Sequence, residues 1–137
     1  MDSNPFASLI DTEALEWIPT ASGNSLKILR VSEETGAWSA LIKAQAGTVN
    51  PRHKHIGPAD FLVLSGSIEY RGGLATPGCW VYEPAGVIHD ATSHPEETVY
   101  LANVHGPIAY LDAEGGITHL SDGDSMRELG RRAGVLS

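Results

Sequence analysis

Three histidines form the most informative pattern of this 137-residue chain. His53 and His55 stand two residues apart, and His89 follows a Pro84-x-Gly86 turn that can bring the next strand back beside the first pair. Because side chains alternate along an extended strand, His53 and His55 are expected on one face. Converging imidazoles are typical of a first-row metal site with open coordination positions. The sequence therefore predicts metal ligation by His53, His55 and His89, whereas an isolated His-x-His pair would fit two surface histidines equally well.

Two spaced motifs containing these histidines resemble the signature of the cupin superfamily. They are Gly47-x5-His53-x-His55, closing at Gly66, and Gly78-x5-Pro84-x-Gly86-x2-His89. The chain departs from the pattern at two places. Ala59 and Asp60 occupy the positions where cupins usually carry a Glu ligand, and Ser93 stands where the second motif usually ends in Asn. With its flanking strands the resemblance covers roughly residues 25–120, and it implies a single cupin domain over residues 1–137.

Three segments resemble a smaller group within the superfamily. They are Pro51-Arg-His53-Lys-His55-Ile-Gly57-Pro58, Leu64-Ser-Gly66-Ser and Tyr82-Glu83-Pro84-Ala-Gly86-Val-Ile-His89. That group contains the acetylacetone-cleaving and 2,4'-dihydroxyacetophenone dioxygenases and is related to the cupin module of ChrR-type anti-sigma factors. The resemblance implies Fe(II) as the metal. The ligand types alone do not choose it, because imidazole nitrogen suits Fe, Zn, Ni and Cu alike.

Three charged residues are candidates for catalytic roles. Glu83 lies six residues before His89 and either accepts a hydrogen bond from a ligand imidazole, as the resemblance implies, or is a rim carboxylate. Arg71 either neutralises a bound enolate or the Glu83 charge, or is an exposed turn residue. Asp60 could be a fourth metal ligand, a carboxylate beside the three histidines. Because it stands one residue short of the usual separation from Gly66 and is shorter than Glu, we expect it beside the ligands or at a solvated strand edge.

The remaining histidines are assigned to the core or the surface. His105 continues an apolar face of its strand, so we predict a hydrogen-bonded core residue, with a position on the pocket wall as the alternative. His94, before a proline in a turn, and His119, near the C-terminal edge, are predicted on the surface. Trp38 and Phe61 are predicted to pack in the core, and lining the cavity is the alternative for both.

Composition predicts a globular single domain in a reducing compartment. Hydrophobic residues make up 42% of the chain, and 9 Lys plus Arg against 17 Asp plus Glu give a net charge of −8. This acidic balance without a basic stripe argues against nucleic-acid binding. Cys79 is the single cysteine, and no apolar run approaches the ~18 residues of a membrane span. Residues 1–5 lack the features of a signal peptide, so we expect a cytoplasmic protein.

Glycine and proline punctuate the chain into short strands, as in all-β sandwiches and barrels. The predicted strands cover residues 26–32, 37–45, 60–64, 67–71, 79–83, 87–92, 98–105, 108–112 and 117–120. One short helix is predicted within residues 5–17, and a second over 121–132 with Ser121 or Asp122 as N-cap. Together with the resemblance, this pattern predicts an all-β, double-stranded β-helix (the cupin jelly roll) with short terminal helices.

The leading hypothesis is a non-haem Fe(II) dioxygenase that cleaves a C–C bond in a small β-dicarbonyl or hydroxyketone bound as enolate. The C–C cleavage rests on the resemblance, whereas the spacing indicates only a metal-dependent cupin acting on a small molecule. The expected partners are the substrate, O2 and further copies of the chain in a homodimer or higher homo-oligomer. One alternative is a non-catalytic, Zn- or ligand-sensing ChrR-like cupin, although no helical partner-binding domain precedes Pro5. The other is a redox-silent isomerase, lyase or hydrolase using Zn or Ni as a Lewis acid.

Overall fold

The computed structural model describes residues 8–20 and 23–134, and at His89 it describes the backbone only. Within these ranges the chain folds into short strands in three sheets, with a 3-10 helix at Thr12–Ala14 and an α-helix, α1, at Gly123–Arg132. No helix in the described part of the chain is long and apolar enough to cross a membrane.

A six-stranded antiparallel sheet forms one layer of the molecule. In spatial order its strands are β1 (Ile18–Pro19), β2 (Asn24–Val31), β3 (Trp38–Ala44), β12 (Thr98–Val104), β6 (Ala59–Ser65) and β9 (Trp80–Glu83). The burial along β3 alternates strictly, with buried side chains at every second position from Trp38 to Ala44. The alternation in the sequence predicts this buried face, because successive side chains point to opposite sides of a sheet.

Two four-stranded antiparallel sheets complete the structure. The first contains, in order, β10 (Ile88–His89), β5 (His53–His55), β13 (Ile108–Leu111) and β14 (Ile117–Ser121). The second contains β4 (Val49–Asn50), β11 (Thr92–Ser93), β7 (Ile68–Tyr70) and β8 (Gly73–Ala75). The strand that carries two of the candidate ligands, β5, therefore has a neighbour on each side.

The apolar core joins the six-stranded sheet to both smaller sheets. In the larger cluster, Ile108 of β13 and Met126 of α1 pack with the buried side chains of β2, β3, β6 and β12. In the smaller cluster, Val63 of β6 packs with Ile68 of β7 and Ala75 of β8. Two layers of short antiparallel strands around a shared core confirm the predicted all-β jelly roll.

The element boundaries follow the predictions closely. Each predicted strand is present with its ends shifted by two residues or fewer, except that the predicted strand 87–92 divides into β10 and β11. Helix α1 is capped by Asp122, whose side chain accepts from the Ser125 N–H at 2.8 Å. For the predicted N-terminal helix, residues 5–7 lie outside the described residues, and the rest of that range contains only the 3-10 turn Thr12–Ala14.

Candidate metal centre and cavity

Strand β5 places the two histidines of the His-x-His pair side by side. His53 is 8% exposed and His55 is fully buried, whereas Lys54 between them points to solvent. The two ring centroids are 5.0 Å apart, with the ring planes at 67°. The two imidazoles thus share the buried face of β5, as the period-two alternation of a strand requires.

The backbone fixes the tautomer of His53. Its Nδ1 lies 2.8 Å from the carbonyl oxygen of Pro51. Since a carbonyl oxygen can only accept, Nδ1 carries the proton and Nε2 of the neutral ring keeps its lone pair. Burial lowers the pKa of His53 below its ordinary 6.5, although the hydrogen bond to Pro51 acts in the opposite direction. A neutral, oriented imidazole is the form that binds a metal ion.

The backbone of β10 lies directly beside this pair. In the antiparallel register His89 is the Cα partner of His53, and Ile88 is the partner of Lys54. The side chain of His89 lies outside the part of the chain that the structure describes. Its assignment as the third ligand stays a prediction, supported by this register.

A cavity of about 310 Å³ adjoins the histidines. Its walls are mainly apolar and aromatic, and its lining includes His53, His55, Trp38, Phe61 and Tyr100. The ring of Phe61 lies 6.2 Å from His55 and 5.8 Å from Tyr100, centroid to centroid. Trp38 and Phe61 thus fulfil both assignments made from the sequence, since they belong to or pack against the core cluster and also line the cavity.

Tyr100 and Tyr110 line the cavity and were not predicted from the sequence. Tyr110 of β13 is the register partner of His53, and their ring centroids are 5.5 Å apart. Tyr100 of β12 lies on the same face as Ala102 and Val104. Burial raises the pKa of both phenols, so both are neutral at physiological pH. In the sequence, the alternation of Tyr100, Ala102 and Val104 is the pattern that could have predicted the inner face of β12. The other face of the strand shows an equally apolar alternation, so the pattern does not identify the buried face.

The structure brings Glu83 and Arg71 together beside the cavity. Glu83 is 1% exposed, and its Oε2 accepts from Arg71 Nη2 at 3.2 Å. Its Oε1 is buried and has no hydrogen-bond partner among the described residues. Burial raises the pKa of Glu83. Arg71 has a left-handed backbone (φ 46°), and its Nε donates to the hydroxyl of the cavity-lining Tyr70 at 3.1 Å. Glu83 is therefore no exposed rim carboxylate, and Arg71 is a turn residue that also neutralises it.

Asp60 is not brought to the histidines. It neighbours Phe61 on β6, so its side chain points to the opposite face of the sheet. There its Oδ1 accepts from Asn103 Nδ2 at 3.0 Å, and its Oδ2 lies 3.7 Å from His105 Nε2. This partly exposed position on the outer face gives no support to the predicted catalytic role or to Asp60 as a metal ligand.

The prediction that His94 is a surface residue is wrong. Its side chain is 1% exposed, and its ring stacks on Tyr100 with centroids 6.1 Å apart. Both ring nitrogens have partners, Asn50 Nδ2 at 2.9 Å and the Ser67 carbonyl at 3.2 Å. The turn before Pro95 is covered because β11, which ends one residue earlier, pairs with both β4 and β7.

The prediction for His105 is wrong, whereas the prediction for His119 is correct but incomplete. His105 was predicted in the core or on the pocket wall, but its side chain is 52% exposed and faces Asp60 on the outer side of the sheet. His119 is exposed as predicted, yet it also lines the cavity, where its ring stacks on Tyr110 with centroids 5.8 Å apart. The oriented imidazole of His53 and the buried imidazole of His55, next to a largely apolar cavity, are donors that fit a divalent first-row ion.

Comparison with known proteins agrees with this geometry. The family model described as "ChrR Cupin-like domain" matches residues 7–109. The acetylacetone-cleaving enzyme of Acinetobacter johnsonii is 30% identical over 101 residues, covering 69% of this chain and 66% of that enzyme. The match thus spans just under two thirds of that relative's length.

Solved structures show the same fold. The acetylacetone dioxygenase of Acinetobacter johnsonii superimposes with a TM-score of 0.80 at 24% identity, over 92% of this chain and 91% of that one. An RmlC-like cupin protein from Ralstonia eutropha gives 0.83 at 26% identity, over 93% and 87%. The complex of Rhodobacter sphaeroides SigE with the anti-sigma ChrR gives 0.57 at 23% identity, over 69% and 50%. With a family model matching most of its length and the cupin fold around its histidines, this chain belongs to the ChrR cupin-like domain family.

Proposed function

We propose that this protein is a metal-dependent cupin enzyme, a non-haem Fe(II) dioxygenase that cleaves a C–C bond in a small β-dicarbonyl or hydroxyketone. The observation that carries the proposal is the pair of buried imidazoles, His53 and His55, set against a largely apolar cavity of about 310 Å³. Pockets of this size and lining hold small organic molecules. The similarity to an acetylacetone-cleaving enzyme supports the substrate class.

The proposed ligands are His53, His55 and His89. When bound, a divalent iron ion supplies Lewis acidity toward two carbonyl oxygens and a redox partner for O2. The hydrogen bond to the Pro51 carbonyl keeps the proton of His53 on Nδ1, so that the lone pair proposed to bind the ion is on Nε2. The surrounding aromatic walls exclude water, which strengthens electrostatic interactions in the cavity and protects reactive species from hydrolysis.

Glu83 and Arg71 are proposed to act behind the ligands. The buried Oε1 of Glu83 is the atom that accepts an N–H from a ligand imidazole, and Oε2 stays paired with Arg71. Such a partner orients the ring and raises its basicity. Arg71 keeps the carboxylate ionised against the burial that raises its pKa.

In the proposed reaction, both atoms of O2 are incorporated into the products, which are a carboxylic acid and a second carbonyl compound.

Oxygen uptake tests the proposal most directly. Protein purified without oxygen is analysed for metal, stripped, and reloaded with Fe(II) or Zn(II). We expect the Fe(II) form to consume O2 with acetylacetone or hydroxyacetophenones and to release a carboxylic acid, and the Zn(II) form to bind these compounds without turnover. Equal activity of both forms under nitrogen and in air would instead establish a Lewis-acid cupin.

A sensing cupin is the second candidate, favoured by the family description and the likeness to ChrR. It predicts stoichiometric Zn in the purified protein and no O2 uptake with any diketone or hydroxyketone. The two outcomes separate the candidates in one set of measurements. The predicted homodimer or higher homo-oligomer belongs to the same proposal, and light scattering coupled to size-exclusion chromatography measures it.

A further inference from the structure

One end of the cavity carries a chain of hydrogen bonds that the proposed reaction does not use. Asn24 and Asn50 both line the cavity, and His94 lies buried behind them. The side chains are joined in series, from His94 through Asn50 to Asn24. A polar chain in a largely apolar cavity is the kind of feature that fixes the orientation of a ligand.

The hydrogen bonds of this series all point in one direction, because the series ends inside the protein at a backbone carbonyl. The Ser67 oxygen can only accept, so the His94 Nδ1 that lies 3.2 Å away carries the proton and Nε2 accepts. Burial lowers the pKa of His94, which keeps the ring neutral. Asn50 must then turn its amide nitrogen toward the ring at 2.9 Å. That nitrogen also donates to Thr92 Oγ1 at 3.2 Å, so both of its N–H groups are used.

The outer end of the chain is an acceptor. With its nitrogen committed, Asn50 presents Oδ1 to Asn24, whose Nδ2 donates to it at 3.2 Å. The Asn24 amide is thereby oriented too, and its Oδ1 is buried with no hydrogen-bond partner among the described residues. Buried acceptors are nearly always paired in folded proteins. This end of the cavity is therefore prepared to receive a hydrogen-bond donor.

The acceptor is at a different level of the sheet from His55. Phe61, which contacts His55, pairs with Ala102 of β12, and Ala102 pairs in turn with Ala40 of β3. Phe61 and Ala40 are therefore at the same level of the sheet. Asn24 is level with Ala44, four residues further along β3. At the ~3.3 Å rise of a strand, the two levels are about 13 Å apart along the sheet. Apolar and aromatic residues, including Ile42 and Tyr100, line the space between them.

We propose that Asn24 determines specificity by accepting, at Oδ1, a hydrogen bond from a hydroxyl or N–H group at the end of the ligand remote from His55. The inference deepens the proposed function and rests on it for the placement of the other end of the ligand. It narrows the substrate to an elongated molecule with an apolar or aryl middle and a terminal donor. An unsubstituted diketone lacks this donor.

Three probes that differ at one position test the inference. They are 1-phenyl-1,3-butanedione and its 4-hydroxyphenyl and 4-methoxyphenyl analogues, titrated calorimetrically into the full-length Zn(II) form. The methoxy compound keeps the size and the oxygen but removes the donor. We expect the hydroxyphenyl compound to bind at least about tenfold more tightly than the other two, because only it pairs the buried acceptor.

Two substitutions at Asn24 distinguish the effect of its hydrogen-bond acceptor from the effect of its side-chain volume. Asn24→Leu keeps the volume and removes the acceptor, so the preference for the hydroxyl should disappear. Asn24→Gln keeps both an amide oxygen as acceptor and an N–H that can donate to Asn50, so a preference for the hydroxyl should remain. Ile42→Val is the matched control, since it alters an apolar part of the same wall and should change the affinity for the three compounds alike.

Three results overturn the inference: equal affinity for the three probes, a hydroxyl preference that survives in Asn24→Leu, or no binding of the hydroxyphenyl compound. Oxygen uptake by the Fe(II) form is measured separately. A protein that prefers the hydroxyphenyl probe through Asn24 but consumes no O2 keeps this inference and refutes the proposed dioxygenase. Oxygen uptake with no role for Asn24 keeps the dioxygenase and refutes this inference.

Discussion

A single backbone carbonyl fixes the tautomer of His53. The 2.8 Å hydrogen bond from Nδ1 to the Pro51 carbonyl keeps the proton on Nδ1, so the lone pair of the neutral ring is on Nε2. This hydrogen bond requires no long-range contact, since Pro51 is only two residues before His53 and the segment leads directly into β5. Local structure alone thus sets the tautomer of His53.

Replacement of His53, His55 or His89 by Ala should each remove most of the bound metal while leaving the fold largely intact. The physical reason is that the three side chains supply the proposed nitrogens, whereas the core clusters lie elsewhere in the sheets. Metal content by mass spectrometry and circular dichroism measure the two effects. Lys54→Ala, which changes an exposed residue of the same strand, is the control. Full metal occupancy in His89→Ala would contradict the ligand assignment.

Glu83→Gln should retain metal under saturating conditions but turn over about 10–100-fold more slowly, the usual effect of losing a partner of a ligand rather than a ligand. Gln keeps the size of the side chain but loses the charge paired with Arg71. Metal titration and oxygen uptake on the same sample give the two values. If the variant loses metal as completely as the histidine variants, Glu83 is itself a ligand.

The buried His94 should make the protein less stable in acid. Burial lowers its pKa in the folded state, so the unfolded chain binds more protons below the ordinary value of 6.5. Folding stability due to His94 is therefore present above that pH and lost as the pH falls below it, with a slope of at most about 1.4 kcal/mol per pH unit. Urea unfolding of the metal-free protein between about pH 7 and pH 5 should show a flatter dependence in His94→Gln. The same pH dependence in His94→Gln as in the wild type would contradict this role of the buried imidazole.

At the level of strands, the face of β12 could not be chosen from the sequence. Its inner face carries Tyr100, Ala102 and Val104, and its outer face carries Val99 and Leu101. Both alternations are apolar, because Leu101 is paired across the sheet with leucines of β3 and β6 on the outer side. For β3 the choice was clear, since Lys43 and Ser39 mark its outer face. This difference explains why Trp38 was placed correctly, why His105 was placed on the wrong side of the sheet, and why Tyr100 was not predicted as a residue of the cavity.

Two glycines hold the end of β5 against the start of β13. A Cβ at Gly57 would lie 2.5 Å from the Gly106 Cα, and one at Gly106 would lie 2.6 Å from the Gly57 Cα. Gly57→Ala should therefore lower the free energy of unfolding by about 1–3 kcal/mol, the usual cost of overpacking. The control is Gly73→Ala, where the nearest atom is the Tyr70 carbonyl oxygen at 3.6 Å. Equal urea midpoints for the two variants would contradict the close packing.

For the whole molecule, the resemblance of two motifs predicted the jelly roll and the three candidate ligands, because both are encoded in short, local spacing. The cavity wall was not predictable in the same way. Asn24, Asn50 and His94 meet only because β2, β4 and the turn after β11 are brought together by the sheets. No local pattern marks any of the three, so long-range pairing determines this part of the site.

The position of β5 between two partners also bears on how fast a bound ion could leave. β10 pairs with His53 and Lys54, and β13 pairs with all three residues of β5. His55 is held further, as its N–H donates to Val87 at 3.0 Å and its carbonyl accepts from Gly86 at 2.6 Å. Amides of β5 should therefore exchange with deuterium far more slowly than those of β8, which lies at a sheet edge. We expect release of an ion from these histidines to require separation of the strands. The ion would then dissociate more slowly than its equilibrium affinity alone would suggest.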